Sequence, residues 1–312
     1  MNSIAEALRR FVDPDEGPIT AIESAPYPSF WSRQLWHSVA PLHERWVPKD
    51  EKLLVMRYAG GGWSRDREES QCMAVTEAVE RWALRHYTLN SPSDAGLDID
   101  PTSNGFAALP ASMGEERLVS SAYCEALERW VLAQIWDQGE FPVSVLALGD
   151  SIAASLLPAA HGECRYYTAV LKPASQAAGA DRLHFVLCLV KTALGGVLPG
   201  SACGSDPKRT LERAACEARV HVNAFKRMRP LRGAVLPSLL ERRLRHFAEH
   251  PKGFDMVMRR LNVLSAPSDV EAPAPVFNRR LRGDWEPEIL VHRVMVQQAL
   301  HLQEGGLERF LI

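Results

Sequence analysis

The pattern E-A-x-E-R-W-x-L occurs twice in this chain, at residues 77–84 and again at 125–132. A partial third copy, C-E-A-R, stands at 216–219. Residues three or four positions apart share one face of an α-helix, so each full copy places two carboxylates and an arginine on the same side of a helix. The chain must therefore accommodate one kind of glutamate-bearing helix more than once.

The residues around these glutamates are apolar on almost every side of each predicted helix. Such a helix is usually buried, and a buried carboxylate must be paired or bind a cation. Arg81 and Arg129 can each neutralise one glutamate, which leaves one further carboxylate on each helix. Mg²⁺ would supply the missing charge, because it takes oxygen ligands and shares them with phosphates. A buried glutamate–arginine network without a metal is the alternative.

Helices and strands alternate along the chain, which predicts the α+β class with mixed sheets covered by helices. Helices are predicted from the capping residues Asp66, Ser112 and Asp206, over 66–89, 112–136 and 206–228, and a basic helical region over 233–270. Strands are predicted at 52–58, 143–148, 166–171, 184–190 and 289–296. The glycines at 60–62 predict a turn or a close approach to a ligand, and loops are predicted at 90–110 and 272–275.

Composition excludes several classes of function. The net charge of −2 argues against a protein that binds nucleic acid through bulk charge. The chain shows neither a membrane-spanning apolar run nor a signal-peptide core, so we expect a cytoplasmic location and no membrane partner. Six cysteines without a C-x-x-C pair predict free thiols rather than a zinc site. The basic stretch 208–282 predicts either solvated helix faces or a surface near phosphates or an acidic peptide.

At the glutamate-bearing helices the chain resembles the YcaO family. That family carries an E-x-x-E-R helix after a glycine-rich segment, a second one after a Ser-Asn-Gly element, and a third helix that begins with Asp-Pro. Here the first follows the glycines at 60–62, the second follows Ser103-Asn104-Gly105, and the third runs from Asp206-Pro207 to Glu217. The small residues at 200–204 stand where the family has a turn.

The resemblance implies a YcaO-like fold over residues 51–312, preceded by an N-terminal extension at 1–50. It implies an ATP- and Mg²⁺-dependent, cyclodehydratase-like enzyme that activates backbone amides of a peptide. The amide oxygen is phosphorylated after a nucleophile adds to the amide carbon, and azolines, thioamides or amidines result in ribosomally made peptide natural products. Carried over by position, the metal ligands are Glu77, Glu80, Glu125, Glu128 and Glu217. The nucleotide-binding residues are Gly61, Gly62, Ser64, Arg81, Asn104, Arg129 and Arg213.

The chain departs from the family pattern at Met73, Val220 and Val222, where the family often carries serine, glutamine and arginine. These departures favour an alternative, a degenerate YcaO subunit that organises a complex without catalysis. An unrelated Mg²⁺ enzyme built on glutamate-bearing helices is a third hypothesis. His221 lies one helical turn after Glu217, so it could contact the site, but the preferred prediction is a location on the helix surface.

The resemblance also implies partners. These are a precursor peptide or protein as substrate, a leader-binding partner that is E1-like or TfuA-like, and in some systems a flavin dehydrogenase. A homodimer is left open. The substrate peptide, the nucleophile and a separate catalytic residue are not specified by the sequence.

Overall fold

The computed structural model describes residues 8–27, 35–47, 59–99, 102–139, 141–147, 163–174, 179–228, 239–266, 268–297 and 306–310. In these ranges the helices are α1 (Arg67–Asn90), α2 (Glu115–Ala133), α3 (Pro207–Met228), α4 (Leu239–Glu249) and α5 (Gly253–Met258). The first strands are β1 (Glu23–Tyr27), β2 (Leu35–Pro41), β3 (Ala59–Ser64), β4 (Thr102–Pro110), β5 (Pro142–Val145) and β6 (Cys164–Pro173). The later strands are β7 (Leu183–Lys191), β8 (Val197–Gly204), β9 (Asn262–Leu264), β10 (Asp269–Ala272), β11 (Pro275–Leu281) and β12 (Ile289–Gln297).

The described strands form three sheets. The first is antiparallel in the order β1-β2-β3, and the third is antiparallel in the order β11-β12-β4. The second has the order β8-β7-β6-β5-β9, with β10 pairing parallel to β6. Since β2 pairs with β3, the first sheet joins strands from the predicted extension at 1–50 to the predicted main domain at 51–312.

Helices lie between the sheets and fill the core. One hydrophobic cluster packs α1 against the first and third sheets, and another packs α2 between the third and second sheets. A third cluster packs α3 and α4 against β7 and β8. The strand β12 is buried on both faces, which accounts for its nearly continuous apolar sequence. Within the described ranges, no helix combines the length and the apolar character needed to cross a membrane.

The predicted caps of the first and third helices are confirmed. The side chain of Asp66 accepts a hydrogen bond from the backbone N–H of Glu69 at 2.8 Å. Asp206 accepts from the N–H groups of Lys208 and Arg209 at 2.9 and 3.1 Å. These bonds satisfy donors that a helix start would otherwise leave unpaired.

The predicted start of the second helix at Ser112 is wrong. Ser112 lies in a 3₁₀ turn, Ala111–Met113, and α2 begins after Gly114, whose φ of 85° suits only a residue without a side chain. At its other end α2 stops at Ala133 and continues as a π-turn over Gln134–Gln138. The capping pattern was present in the sequence, but the left-handed glycine ends the turn before the helix begins.

Several predicted loops are strands. Residues 60–62 lie in β3 and residues 200–204 in β8, so the turn predictions there are wrong. The loop predicted at 90–110 is wrong from Thr102 onward, where β4 begins. In the described part of the region 233–270, which begins at residue 239, the helices are α4 and α5, and the last part forms β9 and the start of β10. The remaining strand predictions from 143 onward are confirmed with shifted ends, whereas the strand predicted at 52–58 lies outside the described residues. All six cysteines are free thiols, as predicted.

Glycines on three of the strands allow a close approach to the following helix. A Cβ atom at Gly60 would lie 1.9 Å from the carbonyl oxygen of Ala74 and 2.4 Å from the backbone nitrogen of Ala78. At Gly105 the corresponding distances to Ala122 and Ala126 are 1.8 and 2.5 Å. A side chain at either position would force the helix away from its strand.

We expect Gly60→Ala to destabilise the protein by about 3 kcal/mol or more, because the new methyl group meets backbone atoms that cannot move independently. The adjacent Gly61→Ala is the matched control, since its Cβ would find only the carboxylate of Glu77, at an ordinary contact distance of 3.7 Å. Urea unfolding of both variants measures the difference. Equal losses of stability would contradict the close-packing explanation.

Candidate functional site

Three strand–helix units repeat the same local geometry: β3 with α1, β4 with α2, and β8 with α3. In each, a strand glycine packs on two helix alanines that are four residues apart. The residue after that glycine donates its backbone N–H to a helix glutamate. The donor–acceptor pairs are Gly61 to Glu77 at 2.8 Å, Phe106 to Glu125 at 2.9 Å, and Ser201 to Glu217. The repeated helix motif predicted from the sequence therefore belongs to a repeated strand–helix unit.

The residue one turn after this glutamate differs among the units. Arg81 donates to the Glu77 carboxylate at 2.7 Å, and Arg129 donates to Glu125. Arg129 also donates to the backbone carbonyl of Asn104 at 2.8 Å. In the third unit the same position is His221, which is buried, so its predicted surface location is wrong.

The second glutamate of each full motif has fewer protein partners. In the described part of the chain no hydrogen bond reaches the Glu80 carboxylate. Glu128 accepts one from the Ser201 hydroxyl at 2.7 Å, and the same hydroxyl lies 3.4 Å from Glu217. The third unit has Val220 at this position. Glu80 is thus a carboxylate without a hydrogen bond from the described residues, and Glu128 has the Ser201 hydroxyl as its donor.

The three units meet, and β3, β4 and β8 are each the terminal strand of their described sheet. Ser201 of the third unit contacts Glu128 of the second, and the charges of Glu77 and Glu125 act on Glu80. Glu128 and Glu217 likewise repel each other. The structure therefore brings the glutamates predicted as metal ligands into one region, although they lie on three helices.

Burial and mutual repulsion make these carboxylates hard to ionise. Loss of solvent and the neighbouring glutamates raise the pKa of Glu80 well above its ordinary value, and burial raises that of Glu125 despite Arg129. Burial raises the pKa of Glu128 to about 7, aided by the charge of Glu217, and burial raises that of Glu217 to about 7. The Glu125 side chain nevertheless keeps 25% of its surface exposed, as expected for a group that lines a cleft.

The donor set fits a hydrated divalent cation better than a fully protein-bound one. Within the described ranges, no three histidine, cysteine, aspartate or glutamate side chains are grouped closely enough to hold a metal by themselves. No arginine or lysine nitrogen of these ranges lies within 4 Å of Glu128 or Glu217, whereas Glu77 and Glu125 have Arg81 and Arg129. Mg²⁺ commonly keeps several waters and uses one or two carboxylates, so this uncompensated pair suits it.

The residues predicted to bind nucleotide are distributed unevenly. Gly61, Arg81, Asn104 and Arg129 lie beside the glutamates, and the exposed Arg213 donates to the Cys203 carbonyl at 3.3 Å while its charge acts on Glu128 and Glu217. By contrast, the structure uses Gly62 and Ser64 elsewhere. A Cβ at Gly62 would lie 2.0 Å from the Ser70 carbonyl oxygen, so Gly62 packs on α1. Ser64 bonds to Glu69 and Asp66 at the exposed start of that helix.

Two residues of the site were missed from the sequence. Ser201 bridges two glutamates but stands in a small-residue segment that was predicted as a turn. Arg293 is buried in β12, where it donates to the Asn104 side chain at 2.7 Å and lies over the Phe106 ring, 4.8 Å from its centroid. Burial and the charge of Arg129 lower the pKa of Arg293 to about 10. The available signal was a charged residue inside an otherwise apolar strand.

Comparison with solved structures identifies the fold. A chain of the E. coli microcin synthetase McbBCD complex with pro-MccB17 bound is 11% identical, with a TM-score of 0.55 over 88% of this chain and 87% of that chain. YcaO from Methanopyrus kandleri bound with AMPPCP and Mg²⁺ is 13% identical, with a TM-score of 0.52 over 89% of this chain and 85% of that chain. No protein-family model and no curated protein matches the sequence. The protein is an α+β protein with mixed sheets covered by helices. More specifically, its fold is YcaO-like, as predicted.

Proposed function

We propose that this protein is a YcaO-family enzyme that uses ATP and Mg²⁺ to activate backbone amides of a peptide or protein substrate. One observation carries the proposal. Glutamates from three helices meet in one region, and no arginine or lysine of the described residues lies within ion-pair distance of the Glu128–Glu217 pair there. The neighbour from Methanopyrus kandleri was solved with AMPPCP and Mg²⁺, which supports the same pair of cofactors here.

The residues have separate roles in this proposal. Glu80, Glu128 and Glu217 would hold hydrated Mg²⁺, while Glu77 and Glu125 mainly fix the strands through backbone N–H groups. Arg129 and Arg213 place positive charge near the glutamates that is suited to phosphate oxygens. Arg293 holds the Asn104 side chain of β4. Bound ATP would supply a phosphoryl group to the amide oxygen, with ADP as the product, and that oxygen would then leave as part of inorganic phosphate. Such chemistry depends on positioning and charge neutralisation rather than on a covalent enzyme intermediate.

The same fold supports a proposal about partners. The microcin synthetase neighbour is a multi-subunit complex with pro-MccB17 bound. By analogy we propose a precursor peptide as substrate here and a leader-binding partner, E1-like or TfuA-like. Whether the product is an azoline, a thioamide or an amidine depends on the nucleophile, and a flavin dehydrogenase would accompany only some of these products.

A non-catalytic scaffold subunit is the second candidate function. It is favoured by Val220, which leaves the third unit without a second carboxylate, and by Met73, which is 36% exposed on α1. Val222 is buried in the core between α3 and the second sheet, so it packs rather than faces a ligand. These three departures are expected to lower the affinity for nucleotide, but Glu80 and Glu128 are still present.

Calorimetry with AMPPCP, with and without Mg²⁺, tests the proposal. We expect heat of binding only with the metal, and a loss of affinity of about tenfold or more in Glu128→Gln, because a ligand is removed without a change of shape. Glu163→Gln is the control, since Glu163 pairs with Arg165 and Lys191 at the surface. Absence of binding under both conditions by the folded protein, with its partner present, would favour the scaffold function.

A further inference from the structure

His221 occupies the position in the third strand–helix unit that an arginine occupies in the other two. The comparison is closest with the second unit. Arg129 Nη1 lies 2.8 Å from the Asn104 carbonyl oxygen, and His221 Nδ1 lies 2.7 Å from that of Pro199. Asn104 directly precedes Gly105 and Pro199 directly precedes Gly200, the close-packed glycines of the two strands. An imidazole thus makes the same helix-to-strand bond as a guanidinium.

His221 reproduces only one of the two bonds that Arg129 makes. Arg129 also donates to the Glu125 carboxylate, whereas the hydrogen bonds to Glu217 come from the backbone N–H and hydroxyl of Ser201. An imidazole bound to the carbonyl through Nδ1 has only Nε2 left, and burial lowers the pKa of the ring, which favours its neutral form. The third unit therefore has the bond to the strand without the built-in cation.

The described residues around His221 do not supply the cation that the imidazole lacks. His221 lines a small cavity with Glu217, Ser201 and Gly200, and the lining also includes Leu132 and Phe310. The nearest guanidinium charges come from Arg213 and Arg129, and neither is within ion-pair distance of Glu217 in the described ranges. A guanidinium at position 221 would be placed beside Glu217, a carboxylate without an arginine or lysine of the described residues at ion-pair distance.

We propose that His221 is a positioning residue that holds α3 against β8. Because His221 stands where the other two units have an arginine, the Glu128–Glu217 pair depends on an external divalent cation. This inference rests on the proposed function, because it names the part of the glutamate cluster where the cation is needed. It also predicts opposite changes in the metal-free melting temperature: a decrease when the imidazole is removed and an increase when a permanently charged group takes its place.

His221→Arg is the main test. In metal-free protein, the added cation should raise the melting temperature by about 2–4 °C, since it offsets repulsion between two carboxylates. It should also reduce the ratio of the AMPPCP affinities measured with and without Mg²⁺ by about tenfold, because the guanidinium competes with the metal for the same oxygens. His221→Lys adds the charge with a slimmer side chain and tests the same point if the arginine variant does not fold.

Asn223→Arg is the matched control, since it adds the same charge to a half-buried position on α3 whose neighbours include Lys226 and Arg227. We expect no gain in melting temperature there. Equal effects of His221→Arg and Asn223→Arg would overturn the proposed charge role.

Removing the imidazole tests positioning separately. His221→Ala should lower both the melting temperature and the Mg²⁺–AMPPCP affinity, because Ser201 and Glu217 lose their alignment. His221→Gln, which keeps a donor for the Pro199 carbonyl, should restore both. An unchanged affinity in His221→Ala would overturn the positioning role. If the native protein binds no Mg²⁺–AMPPCP at all, the proposed function fails, whereas the metal-free melting temperatures still decide the role of His221.

Discussion

Glu80→Gln is expected to reduce ATP-dependent product formation by about 100-fold or more, while leaving the fold intact. Glu80 has no hydrogen bond from the described residues, and burial together with the charges of Glu125 and Glu77 already raises its pKa. Neutralising it removes a carboxylate that the fold does not use and that the proposed metal does. We therefore expect the metal-free melting temperature to stay the same or to rise.

Glu125→Gln supplies the contrast. Glu125 is the first glutamate of the second motif, whereas Glu80 is the second glutamate of the first, and the two carboxylates have different contacts. The Glu125 carboxylate accepts hydrogen bonds from the Phe106 N–H and from Arg129. An amide in its place presents a donor to the guanidinium, so we expect a loss of about 1–3 kcal/mol in unfolding free energy. Product analysis by mass spectrometry and metal-free thermal unfolding, on both variants, separate the two effects. A steep loss of stability in Glu80→Gln, with activity per folded molecule preserved, would show that Glu80 is structural.

The helices of the site could be predicted from the sequence because their signals are local. Glutamates three apart, an arginine one turn on and a capping aspartate all act within one or two turns of helix. Those signals gave α1 and α3 nearly at their observed ends. They also drew attention to the glutamates that the structure brings into one region, since a repeated buried carboxylate is unusual in any helix.

The strands of the site could not be predicted in the same way. Gly60, Gly105 and Gly200 have poor strand propensity, and their extended conformation is imposed by pairing with distant strands and by packing on a helix. A run of glycines reads as a turn when only neighbouring residues are considered. The space that these glycines leave for the helix backbone becomes visible only when the strand and the helix are placed together.

The division of roles among the glutamates also depends on contacts distant in sequence. Glu77 and Glu80 are indistinguishable on one helix face, but only Glu77 reaches a backbone N–H of β3. Ser201 and Arg293 belong to strands that pair with other parts of the chain, so nothing near them in sequence links them to the glutamates. The sequence therefore predicted which glutamates lie in one region, and the structure shows which of them accept hydrogen bonds from the strands.

The stability of the metal-free protein is expected to fall as the pH rises from about 4.5 to about 7. Glu128 and Glu217 titrate near 7 in the folded state, against an ordinary value of 4.5. In that interval the unfolded chain has released protons that the folded protein still holds, so raising the pH favours unfolding. Below the interval both states are protonated and above it both are ionised, so the two groups then contribute no further slope.

The slope from each of these groups is at most about 1.4 kcal/mol per pH unit, and partial solvation of the cleft will reduce it. Urea unfolding at pH 5, 6, 7 and 8 measures the trend, and Glu128→Gln should make it shallower by removing one of the two groups.

Mg²⁺ with AMPPCP should abolish much of the loss of stability near pH 7.5, because a bound cation favours the ionised carboxylates that folding alone penalises. Binding should release protons at pH 6, visible as a dependence of the calorimetric heat on the buffer. A stability that rises steadily across this interval in both the native protein and Glu128→Gln would show that the two carboxylates are compensated within the protein, and that the region needs no external cation.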